Sequence, residues 1–233
     1  MDYIYDADFI DGVSYAMWVH VGTAPAVIVA LRSDISKILR EITVLPPVLS
    51  TVFIFLVCAT VVSGGIGFPL LLMVSEISDL IGSGAMGVIG VAMVITGLAQ
   101  MRNRTIGVRR TDDASLSDGF FAGIAQGFSV VPGLSRSGLT LAVLLGQRYD
   151  REDALVLSFL MSVPASIGAG LYSVMTDSTR LTLEMILAAG IAFLSGLATI
   201  KLILRLATKI NLAGFVILVG MAMIFSFALG FLR

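Results

Sequence analysis

Apolar residues fill this chain in blocks of about twenty, separated by short polar stretches, and blocks of that length predict helices that cross a bilayer. The pattern places spans at 12–31, 44–62, 84–101, 154–176, 182–200 and 212–232. Pro46 and Pro47 fit the first turn of the second span. Residues 63–83 break the rhythm: apolar Phe68 to Val74 is followed by Glu76 and Asp79 with no Lys or Arg, which reads as a surface-lying segment rather than a crossing. Residues 32–43 read as a basic loop, and 102–118 as the one linker-like piece, joining two similar halves.

A second departure lies between residues 117 and 147. Two apolar legs flank a polar break, and as helices 117–130 and 137–147 would be about 21 and 16 Å long, against a hydrocarbon core of about 30 Å. Half-length legs predict a re-entrant hairpin with its tip near mid-membrane, where irregular backbone survives only if buried in protein or lining a wet cavity. In the first leg Gly119, Gly123 and Gly127 recur every fourth residue, which prepares one face for a closely packed neighbour. Pro132 and Gly133 supply the break, so Gly133→Val is expected to do more harm than Gly90→Val within a regular span.

Ser135, Arg136 and Ser137 then open the second leg, where unsatisfied backbone N–H groups and the helix dipole favour an anion. A guanidinium grips phosphate or carboxylate through two parallel hydrogen bonds, and flanking hydroxyls donate to the same group. A charge at this depth is costly and usually functional; the alternative is a structural counter-ion. The chemistry indicated is phosphate binding.

Composition narrows the field. Over 233 residues, 57% are hydrophobic and 13% charged, which marks an integral membrane chain. A net charge of −1, distributed by loop, gives no basis for nucleic-acid binding. Cys58 is the sole cysteine, so disulfides and cysteine-based metal sites are excluded. The acidic start lacks a secretory signal, so insertion is expected to rely on the first internal helix, where Tyr15 and Trp18 form an interfacial belt and His20 is a hydrogen-bonded packing residue. Twelve of the fifteen Lys and Arg fall in 32–43, 102–113, 148–153 and 201–209, which parity places on one side. The positive-inside bias makes that side cytoplasmic and the N-terminus external.

The string PGLSRSGLT at 132–140, with Gln126 before it and LSFLMSVP at 157–164 after it, resembles the second signature of the undecaprenyl pyrophosphate phosphatase (bacitracin-resistance) family. The resemblance implies an all-α integral membrane fold of two inverted-topology repeats, each a re-entrant pair followed by three spans: 1–101, N-terminally incomplete, and 114–233 with its hairpin at 117–147. It implies a multi-pass plasma-membrane enzyme that removes one phosphate from a polyprenyl diphosphate. Arg136, Ser135 and Ser137 are then the catalytic candidates, and Gly133, Gly138, Thr140 and Gln126 the substrate-binding ones. Magnesium or calcium is implied without identifiable ligands, and a homodimer is left open. The family's first signature, a glutamate-rich stretch running into proline, serines and a histidine, has no counterpart here, so the chain is expected either to start downstream of the true beginning or to be a reduced member. The alternatives are a carrier that moves a prenyl phosphate without hydrolysis, and an inactive homologue.

Overall fold

The computed structural model describes the backbone of residues 9–43, 50–81, 85–102, 107–131, 134–176, 182–206 and 212–231. Nine α-helices account for nearly all of it: α1 Phe9–Ala30, α2 Arg32–Thr43, α3 Thr51–Ile81, α4 Ala85–Arg102, α5 Leu116–Phe128, α6 Arg136–Gly146, α7 Arg151–Thr176, α8 Leu183–Leu206 and α9 Leu212–Phe231. Among the described residues, three helical stretches are long and apolar enough to cross a membrane: Thr51–Met73, Arg151–Met175 and Leu183–Arg205. Shorter apolar helical stretches are Trp18–Ala30, Gly87–Leu98, Arg136–Gly146 and Val216–Leu229. The chain is thus an all-helical protein built for a membrane.

Three stretches differ from the reading of the sequence. The second span does not stop at 62, because α3 runs on unbroken through Gly64, Gly65 and Pro69. Backbone groups in hydrocarbon must be satisfied within the helix, so glycine and proline do not end a membrane helix as they end a soluble one. Residues 32–43 form a helix rather than a loop, with Ile35 and Ile38, three apart, packed against the core and the charges outside. Lys201 and Arg205 lie on α8 itself. Pro46, Pro47, Pro132 and Gly133, and the side chains of Tyr15, Glu76 and Asp79, lie outside the described residues.

Helix directions follow from the contacts. An added Cβ at Gly119 would sit 2.6 Å from Phe55 O, at Gly123 2.8 Å from Ala59 O, and at Gly127 2.8 Å from Ile66 Cβ, so α5 runs parallel to α3 with its glycine face pressed on it. Trp18 donates its indole N–H to Met185 O at 2.9 Å, and Gly196 packs on Ala26, so α1 and α8 are also parallel. Helices α4 and α9 cross antiparallel at a pair of glycines, where an added Cβ at Gly90 would lie 2.8 Å from Gly220 O. Gly90 is therefore not a tolerant control position, as regular span geometry alone suggests. His20 is exposed on α1 rather than packed.

We expect Gly123→Leu to destabilise the protein by about 1–3 kcal/mol through overpacking against Ala59 and Val62, whereas Gly190→Leu, beside open space, should be nearly neutral. Thermal unfolding of the two variants in detergent checks this. Equal melting temperatures would mean that the α3–α5 contact is looser than described.

Candidate active site

The core gathers where α1, α3, α5, α6 and α7 meet, around the fully buried Phe55, Leu144, Tyr149, Leu157 and Met161. It supports a helical hairpin. Helix α5 is about 20 Å long and α6 about 16 Å, each shorter than the roughly 30 Å hydrocarbon core of a bilayer. The predicted legs and the observed helices agree to within two residues.

At the base the hairpin is tied to the segment before it. Ser115 caps α5, and its hydroxyl and the Asp118 carboxylate close a reciprocal capping box. Arg109 forks onto Asp118, with Nη1 3.0 Å from Oδ1 and Nη2 on Oδ2, and donates further to the carbonyls of Gln147 and Asp113 at 3.2 and 2.7 Å. Tyr149 donates its hydroxyl to Asp118 at 2.8 Å and offers its ring face to the guanidinium, 4.3 Å away. Burial first, and then the bond to Asp118, push the phenol's pKa above its ordinary value, so it stays a neutral donor. Arg148, at φ 68°, turns the chain out of α6, and its carbonyl accepts from the N–H groups of Val108 and Arg109. Gly107 is obligatory here, because an added Cβ would overlap the Tyr149 carbonyl. The stretch expected to be a linker is, from 107 onward, a docked strap. Its one legible signal was the Ser115-to-Asp118 capping spacing.

At the other end, α6 begins at Arg136 with Ser135 as its cap. Ser135 Oγ accepts from Gly138 N at 3.2 Å, and Leu139 N donates to Ser135 O at 2.9 Å. Among the described residues no hydrogen bond takes the backbone N–H groups of Arg136 and Ser137, and no ion pair involves the Arg136 guanidinium. Ser137 is exposed, its Oγ 3.5 Å from that of Ser135. The first turn of α6 thus holds two hydroxyls and a cation in one place, a constellation suited to a phosphate group.

The remaining candidates sit beneath it. Thr140 is fully buried: its hydroxyl bonds Arg136 O at 2.9 Å and Ser158 Oγ at 2.6 Å, which fixes α6 against α7. Gln126 is buried at the junction of three helices, donating to Ser63 Oγ on α3 at 3.1 Å and to Met161 O on α7 at 3.4 Å, while its Oε1 has no partner among the described residues. Gly138 is buried under the cap. Ser135, Arg136 and Ser137 thus share the first turn of α6, while Gly138 and Thr140 are buried in the same helix and Gln126 is buried between α3, α5 and α7. Gly133 lies outside the described residues.

No group of three or more His, Cys, Asp or Glu side chains able to hold a metal ion occurs among the described residues. The described side chains at the turn are hydroxyls and a guanidinium, which do not fit a divalent cation.

The chain is similar to known proteins over most of its length. The chain is 35% identical over 224 residues to an undecaprenyl-diphosphatase of Methanococcoides burtonii, covering 90% of this chain and 81% of that one. It is 33% identical over 213 residues to one of Methanothrix thermoacetophila, covering 91% and 80% respectively, and 31% identical over 210 residues to one of Methanopyrus kandleri, covering 88% and 77%. With residues 3–225 matching the family described as bacitracin resistance protein BacA, strap, hairpin and spans together, the chain belongs to that family.

Proposed function

We propose that this protein is a membrane-embedded undecaprenyl-diphosphate phosphatase, converting a polyprenyl diphosphate to its monophosphate and inorganic phosphate. The observation that carries the reading is the donor cluster at the start of α6, in a chain whose family match takes in both legs of the hairpin. Arg136 grips the terminal phosphate through its planar fork. The N–H groups of Arg136 and Ser137 and the Ser135 hydroxyl donate to oxygens on which charge grows as the bridging P–O bond breaks. One water is consumed, the bridging oxygen stays with the lipid, and the terminal phosphoryl leaves as phosphate. Ser137, exposed and not used as a cap, is the better placed of the two serines for covalent attack. Any divalent cation would enter on the substrate's own diphosphate.

The same reading gives the chain six spans in two inverted repeats in the plasma membrane. Its support is the antiparallel α4–α9 crossing, the parallel α1–α8 and α3–α5 pairs, and the meeting of basic segments at one end, where Lys37 bonds Asp112 at 2.6 Å. A cysteine replacing Asp112 should then be shielded from an impermeant thiol reagent outside cells and one replacing Thr182 labelled; the reverse pattern would overturn the orientation. Phosphate release from a long-chain prenyl diphosphate by the purified chain tests the activity. Saturable binding with no turnover would overturn it in favour of a carrier.

A further inference from the structure

Beside the hairpin tip a cavity of about 660 Å³ opens between α4 and α9. Val91 and Ile95 of α4, Ile224 and Phe227 of α9, and Val131 and Leu134 of the tip line it, and every residue of its wall is apolar. Its walls are held in place, because the two helices meet at Gly90 and Gly220, where an added Cβ would strike the opposite backbone at 2.8 and 2.7 Å. On one side the groove is open, with Val91 49% and Ile95 54% exposed, so a long occupant can leave it into the surrounding lipid.

We propose that this groove holds the first isoprene units of the substrate's prenyl chain, and so sets chain-length preference. The inference rests on the phosphatase reading and adds where the lipid lies. Leu134 directly precedes the capping Ser135, so the groove wall begins one residue, about 3.8 Å of backbone, from the phosphate donors. A chain esterified to a diphosphate held at Arg136 starts beside the tip, and this apolar slot lies there. A phospholipid acyl chain lacks that tether. In a bilayer an apolar chain gains little by moving from lipid to an apolar wall, so what the groove supplies is orientation, with the chain drawn away from the scissile anhydride.

Photolabelling with a prenyl diphosphate carrying a diazirine on its second isoprene unit, using the full chain in nanodiscs, tests the proposal independently of turnover. Labels should fall on peptides containing Val91 and Ile95 or Ile224 and Phe227, competed by unlabelled prenyl diphosphate but not by phospholipid. Labels elsewhere, or equal competition by phospholipid, would overturn it. Kinetics supply a second test: Ile95→Trp should lower the ratio of long-chain to isopentenyl diphosphate kcat/KM by about tenfold. An unchanged ratio counts against the groove, while absence of phosphate release by the wild type from either substrate counts against the phosphatase reading and leaves the labelling result standing.

Discussion

Arg136→Lys is expected to weaken prenyl diphosphate binding by roughly ten- to a hundredfold, the loss of about 1.5–3 kcal/mol that accompanies removal of a hydrogen bond to a charged group. Lysine keeps the positive charge but loses the planar fork, so the effect isolates geometry from charge. Thermal stability should barely move. Arg136 makes no ion pair among the described residues, and its contribution to the fold is the carbonyl that accepts from Thr140, which any residue supplies. Equilibrium binding and melting of wild type and variant, measured side by side, decide the matter. Unchanged affinity with a lowered melting temperature would make Arg136 a structural counter-ion and would remove the proposed site.

The second large effect belongs to the base of the hairpin. Asp118→Asn should cost on the order of 3 kcal/mol, the lower end of what breaking a buried pair costs, because the Asp118 side chain is 6% exposed but Arg109 is 29% exposed and recovers some solvation. The loss exceeds that of one bond, since the carboxylate accepts from Arg109, Tyr149 and Ser115 together. Tyr149→Phe removes only one donor and should cost about 1 kcal/mol. In contrast to Arg136→Lys, both should lower the melting temperature, and activity should fall only as the folded fraction falls. A double-mutant cycle of Arg109→Met with Asp118→Asn measures the coupling. Additive effects would mean that the strap and the hairpin base are energetically independent.

The hairpin was legible in the sequence because its causes are local. Leg length against bilayer thickness is readable from neighbours along the chain, and α5 and α6 match the two expected legs to within two residues. The glycine stripe at 119, 123 and 127 announced a close partner without naming it; only the fold identifies α3, through Phe55, Ala59 and Ile66. Residues 63–73 differ from the surface-lying reading because that reading weighed Glu76 and Asp79, which lie beyond the apolar stretch Thr51–Met73, whereas α3 runs unbroken through Gly64, Gly65 and Pro69.

The sequence by itself determined that this is a helical membrane chain with a half-length hairpin that presents Ser135, Arg136 and Ser137 at its turn, since hydropathy, helix rise and capping depend on residues a few positions apart. Tertiary structure alone decided the rest. Gln126 reaches a serine 63 residues away on α3 and a carbonyl 35 residues away on α7, and Thr140 meets Ser158, so these two polar side chains join helices that the sequence alone does not pair. Arg109 finds Asp118 only because Gly107 lets the strap approach the Tyr149 backbone. The apolar groove exists because α4 and α9, far apart in the chain, cross at two glycines beside the tip. Such contacts depend on which helices become neighbours, and the periodicity of a single helix carries no record of that choice.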